Sequence, residues 1–492
     1  MPGALIRAGS ITAAALMASS CFSLQSSEGG GQTVTPASRP LRPADVALPP
    51  GYAIELFASG LTFPTSIAFD DAGNIYVTEA GYSYGEVFTT PRLLELRAGR
   101  APRVVASGDN GPWTGVAFHG GAFYVAEGGT GRGGRIVRIG RDGSITSLVT
   151  GLPTLGDHHT NGPLIGPDGK LYFSTGTATN SAVVGEDNAQ FGWLKRHPEF
   201  HDVPCQDVVL TGVNFKTPNP LTPDEDDSAS TGAFSKFGDK TAAQQVITGK
   251  VPCSGAVMRV ALDGGPIELV AWGFRNPFGL AFGPDRKLYV TDNGYDDRGS
   301  RPVFGAGDVL WQVQPGTWFG WPDFSEAHPI FEDPVWGDHY RVPGKDTPPR
   351  LLARHPSRPP PATAIFPVHA SADGLDFSRS AAFGYPGQAF VALFGDEAPA
   401  TGKTLEPVGF KVVRVDVTNG VIADFAVNRA KHKGPASKSG GSGLERPVAV
   451  RFDPSGRSLY VVDFGVLTHH ERAEPVQGTG TVWRITRSEA TP

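Results

Sequence analysis

Two adjacent histidines sit in the segment GDHHTNG (156–162), immediately ahead of a short apolar run. An imidazole titrates near neutrality, so His159 or His158 is suited to take a proton from a substrate hydroxyl. A pair of turn histidines satisfied by local hydrogen bonds is the plainer alternative. A second segment, WGFRNPFG (272–279), offers Arg275, a planar and permanently charged fork for a carboxylate or quinone oxygen. Beside it Asn276 both donates and accepts, although Arg-Asn-Pro also suits a simple capped turn. The third segment, TDNGYDDRGSRP (291–302), gathers Asp292, Asn293, Asp296 and Asp297, hard oxygen donors of the type calcium takes. Its spacing is not that of an EF-hand, and Asn-Gly by itself most often marks a hairpin.

What must position these residues is a repeat. Six times a turn of the Gly-Pro-Asp-Gly type runs straight into a short apolar strand, as in IGPDGKLYFSTG (165–176) and FGPDRKLYVTDNG (282–294). The other copies are FDDAGNIYVTEAG (69–81), FHGGAFYVAEGG (118–129), FGYPGQAFVALFG (383–395) and FDPSGRSLYVVDFG (452–465). Each is followed by a second strand in which apolar and polar residues alternate, such as RIVRIGRDG (135–143) or KVVRVDVTNG (411–420). A unit of this size cannot bury both faces alone, so the copies must stack around an axis. The expected fold is all-β, a six-bladed β-propeller with long loop insertions over one face. The segments YAIELFA (52–58) and TVWRIT (481–486) are expected to share a blade and fasten first to last. In such a ring the two histidines, Arg275-Asn276 and the Asn293 loop can converge over one central pocket.

Composition agrees. Gly 64 and Pro 43 are high counts among 492 residues, but they fall at turns between apolar strands. The net charge of −6 and the lack of a basic stripe argue against nucleic acid as a partner. Residues 1–21 read as a secretory signal, and Cys21 after Ala18-Ser19-Ser20 resembles a degenerate lipobox, a possible lipid anchor. Residues 22–45 read as a flexible linker and 46–488 as the propeller, with insertions at about 177–254, 317–365 and 428–446. The chain is therefore expected to be exported, either periplasmic or a bacterial membrane-anchored lipoprotein. In an oxidising compartment Cys205 and Cys253 are expected to bridge; two free buried thiols are the alternative. No Cys-x-x-Cys-His occurs, so no c-type haem is attached to this chain.

Taken together, GDHHTNGPLIGPDGKLYFSTG, AWGFRNPFGLAFGPDRKLYVTDNGYDDRG, the GWPDF element (320–324) and HASADGLDF (369–377) resemble the soluble glucose/sorbosone dehydrogenase family. The resemblance covers roughly 52–487 and is densest at 156–176 and 272–324. It implies a six-bladed propeller that binds pyrroloquinoline quinone (PQQ) and calcium and oxidises a sugar or a related polyol or aldehyde. A histidine takes the hydroxyl proton while hydride passes to the quinone. That base matches His159 by its context before Thr-Asn-Gly, or His158 by its distance from Gly-Pro-Asp-Gly. The resemblance further implies that Arg275 polarises the quinone, that Asn276 and Asn293 bind the cofactor, and that Lys403 or Arg414 meets its carboxylates. Main-chain carbonyls at Gly294 and Tyr295 would hold calcium, although the family often has Pro where this chain has Tyr295. Electrons would leave for a separate acceptor, a cytochrome or a quinone. Two other functions fit the same ring: a calcium-dependent lactonase-type hydrolase, and a non-catalytic binding propeller.

Overall fold

The computed structural model describes residues 39–81, 89–129, 132–190, 192–396, 406–430, 433–469 and 473–488. Strands dominate their regular structure, with only short helical turns among them. Six sheets of four or five strands follow one another along the chain, and each is an antiparallel meander. Their first strands are Pro64–Phe69, Trp113–His119, Thr160–Ile165, Asn276–Phe282, Ala372–Phe377 and Pro447–Phe452. These six strands touch side by side in cyclic order, the last meeting the first. The last sheet is completed by the N-terminal strand Tyr52–Leu61, which pairs antiparallel with Gly480–Arg487 from Tyr52↔Arg487 to Leu61↔Gly480.

The recurrent turn joins the first strand of each sheet to the second, so the repeat tyrosines lie one strand out from the axis. The turn explains its own sequence. Asp70, Asp168, Asp285 and Asp453 each accept main-chain N–H groups of their own turn at 2.8–3.2 Å. The hydroxyls of Tyr76, Tyr172 and Tyr289 then donate to the first three of these carboxylates at 2.9–3.2 Å. In these four turns an aspartate caps the main chain, and in three of them the tyrosine that follows satisfies the aspartate's second oxygen.

Burial follows the same plan. Each neighbouring pair of sheets shares its own apolar cluster, for example Tyr76, Leu93, Trp113, Phe123 and Val137 between the first two. The fourth and fifth sheets share Tyr289, Leu310, Phe377, Val391 and Val413. Near the axis the first strands approach one another so closely that side chains must vanish. A Cβ at Gly115 would overlap the Gly162 carbonyl, and one at Gly374 would lie 2.8 Å from the Ala449 Cα.

The insertions are structured. Residues 177–254 link the second and third strands of the third sheet, and within them Cys205 is bridged to Cys253. The strand Val208–Leu210 of this insertion pairs with Leu352–Arg354 of the next one, so the two are knitted together. The two insertions leave their sheets at opposite ends. The 317–365 segment leaves the third strand of its sheet at the end away from Asn293. It then runs back beside Glu268–Trp272, with a parallel bridge from Trp272 to Trp318. Val46–Ala47, at the start of the stretch read as the propeller, adds a fifth strand beside Asn428, and Arg39, within the stretch read as a linker, donates to Asp463 at 2.8 Å.

Candidate active site

All six innermost strands begin at the same end of the ring, and the second strands end there. The mouth of the axis at that end is a cavity of roughly 810 Å³, counting the space open to solvent. Its polar wall is His159, Asn161, Asn276, Asn293, Ser371 and Asp373, while Phe278, Phe394, Val448, Phe464 and Leu467 make an apolar one. Pro112 and Thr114, His159 and Asn161, Asn276 and Phe278, and Ser371 and Asp373 are residues two apart at the starts of strands. Such pairs share a side of a strand, here the side facing the axis. In every sheet the pairing of first with second strand slips register at this end, between Asn161 and Leu164 and between Pro277 and Leu280, for example. Irregularities of this kind re-aim side chains at the rims of β structures.

The structure separates the two histidines. His159 lines the cavity, with Gly129 packed so closely that a Cβ there would stand 2.5 Å from its Nδ1. His158 faces away: its Nδ1 lies 2.9 Å from the Thr177 carbonyl and 3.1 Å from the Thr177 hydroxyl. Burial pushes the imidazoles down, His158 to about 3 and His159 to about 4, so both are neutral at pH 7. A neutral ring in a cavity wall can accept a proton. Asn161 is 2 % exposed, and its Oδ1, like that of Asn276, has no hydrogen-bond partner among the described residues. Two buried acceptors at one cavity call for a ligand that brings donors.

Arg275 does not line the cavity. Its guanidinium is held by Asn180 Oδ1 at 2.8 Å and Asp296 Oδ2 at 2.7 Å, because the loop after Asn293 folds back beneath it. Arg298 extends this buried network, pairing with Asp157, with Asp187 at 3.0 Å and with Asp296 at 3.0 Å. Burial alone pushes the Asp157 carboxyl up, but the Arg298 guanidinium, helped by Arg275, outweighs it and holds it below its ordinary range. Asp292 is a different case. It accepts from the main-chain N–H groups of Arg275 and Asn276 and from the Trp311 indole, and burial pushes its carboxyl up to about 7. Asn276 also donates to Asn293 Oδ1 at 2.8 Å, which ties the fourth sheet's first two strands at the cavity edge.

The acidic loop therefore differs from a set of free calcium ligands: Asp292 and Asp296 are already used by internal donors and cations. Asp297 differs from them: its Oδ1 is buried with no hydrogen-bond partner among the described residues, and burial raises its carboxyl. Gly294 donates its N–H to Asp308 at 2.8 Å, and the Tyr295 side chain is core, its hydroxyl donating to the Phe324 carbonyl. Arg414 lies apart from the cavity. It sits on a third strand, stacked over Tyr385 and bonded to Gln388 beside the turn at the far end. Lys403 and Cys21 lie outside the described residues. Asn161, Asp373 and the phenylalanine wall were not anticipated. For Asn161 the signal was available, since it lies two residues after His159 entering a strand.

These features define an all-β protein of propeller-repeat type with a polar pocket at its axis. Residues 53–88 match the family described as Beta-propeller repeat. No curated protein matches the chain in sequence. Among solved structures it is similar to the holo form of the pyranose dehydrogenase PQQ domain from Coprinopsis cinerea, with 16% identity and a TM-score of 0.56 over 92% of this chain and 100% of that one. It is also similar to Trichoderma reesei Carbohydrate-Active Enzymes Family AA12, with 16% identity and a TM-score of 0.53 over 93% and 100%. At such identity the likeness is one of fold.

Proposed function

We propose that the chain is a six-bladed propeller that oxidises a sugar, or a related polyol or aldehyde, using PQQ and calcium. One observation carries this reading: His159 and Asn161 of the third sheet and Asn276 and Asn293 of the fourth meet at one cavity on the axis. The orphaned oxygens of Asn161 and Asn276 fit a hydroxyl-bearing ligand, and the phenylalanine wall fits a flat ring. The similar structures include a pyranose dehydrogenase domain described with PQQ, which supports the same substrate class. His159, neutral by burial, accepts the proton of the sugar hydroxyl. Asn276 and Asn293 would hold the quinone edge, Lys403 a carboxylate, and the Gly294 and Tyr295 carbonyls the cation. When bound, the quinone supplies the hydride acceptor and calcium its Lewis acid. Arg275 fits less well, because Asn180 and Asp296 already occupy its guanidinium. Residues 1–21 would direct export, and a separate cytochrome or quinone would take the electrons.

The engaged Arg275 favours one alternative, a calcium-dependent lactonase-type hydrolase, which needs no arginine at a quinone. Reconstitution separates the two. The purified chain with calcium and PQQ should reduce a dye on addition of aldoses, and His159→Gln should abolish turnover while retaining the quinone. Failure to bind PQQ at micromolar concentration would rule the dehydrogenase out, and lactone hydrolysis with calcium alone would establish the alternative. Full turnover in His159→Gln would move the base to His158.

A further inference from the structure

A second concavity lies away from the axis and shares no lining residue with the pocket. It is built by the insertion at 317–365, encloses roughly 1390 Å³ including its open side, and carries Val335, 75% exposed, at its edge. Three features set its chemistry. Aromatic rings line it: Trp336 stacks on His328 at 3.7 Å and Phe331 on His355 at 5.6 Å. Arg350 is part of the wall, lying over the Phe331 ring and bonded to the carbonyls of Leu352 and Ala353. Arg354 and Arg358 are exposed and make no ion pair with a described residue. The one acidic group lining it, Asp333, accepts the N–H groups of Val335 and Trp336 at 2.9 and 3.0 Å and so closes its own turn.

Three arginines beside one carboxylate are unexpected on a chain of net charge −6, so the charge of this groove is local and calls for an anion. Aromatic rings, half-buried here as Trp336 and Phe331 are, take the apolar faces of sugar rings, and arginine forks take carboxylates in bidentate fashion. The space a ligand can occupy, roughly 820 Å³, lies in the upper part of the ~300–1,000 Å³ range of small-ligand pockets and has room for more than one sugar ring. We propose that this groove is a saccharide-binding site for an acidic oligosaccharide, with carboxylates on Arg354 and Arg358 and a ring against Trp336. It does not depend on the chemistry at the axis, because binding here needs neither quinone nor calcium.

Calorimetric titration of the full chain with trigalacturonate, against neutral maltotriose, tests it. Trigalacturonate should bind and maltotriose should bind at least tenfold more weakly. Arg354→Glu with Arg358→Glu should lower trigalacturonate affinity about tenfold or more, and Trp336→Ala should weaken it as well, with melting temperatures unchanged. Dye-linked sugar oxidation by the arginine variant should equal that of the parent. Equal affinity for both trisaccharides, no effect of the arginine changes, or tighter binding of inorganic polyphosphate than of trigalacturonate would overturn the proposal.

Discussion

At the scale of single residues, the decisive property is that His159 is neutral. Burial lowers its pKa to about 4, so the ring stays able to accept a proton well into the acid range. The sign is that of a base: activity is full above the folded pKa and is lost as pH falls through it. In the reconstituted chain kcat/KM should stay level from pH 8 to about 5 and decline towards pH 4. An acid limb centred near the free-imidazole value of about 6.5 would show that the base is a solvated histidine instead. Much of this residue set was legible. Two histidines before a strand and Arg-Asn at the head of the next are pairs that each send one residue, His159 and Asn276, to the cavity, but residue type did not rank the histidines. That ranking depends on which ring the Thr177 main chain captures, and a contact between two loops leaves no local pattern. Arg414 misled for the opposite reason: its alternation in KVVRVDV is that of a strand face two strands removed from the axis.

At the scale of elements, the turn-plus-strand repeat was visible because its turn chemistry and tyrosine cap recur locally. The innermost strands were harder to see. They are short, carry Gly or Pro where neighbours press close, and lose register at the pocket end, so none keeps a clean period of two. The insertion from 177 to 254 was legible only as an interruption. Its closure by Cys205–Cys253, separated by 48 residues, is an element-scale device for a segment with little regular structure. The loop-closure relation assigns such a bridge about 4 kcal/mol. A Cys205→Ser, Cys253→Ser chain should show an unfolding free energy lowered by that order, read as a lower denaturant midpoint, and faster proteolysis within 177–254. Equal midpoints with and without the bridge would mean that pairing to Leu352–Arg354 holds the insertion by itself.

At the scale of the whole molecule, six separate apolar clusters between sheets leave no central core, so stability depends on every neighbour being present. The join between first and last is the point where the chain itself could let the ring open. Tyr52–Leu61 covers the outer edge of Gly480–Arg487, and the Tyr52 ring packs edge-on against Phe383 at 5.2 Å and Phe425 at 5.1 Å in the adjacent sheet. Removing residues 1–61 would bare a long, flat strand edge and the apolar faces it covers. The truncated chain should self-associate and melt at a lower temperature, whereas removal of residues 1–38 takes away none of the described pairings and should leave a monodisperse protein of parental stability. Size-exclusion chromatography with thermal unfolding reads both. A monomeric, equally stable chain lacking 1–61 would mean that the sheet-to-sheet clusters alone close the ring, and that the N-terminal strand merely decorates its last sheet.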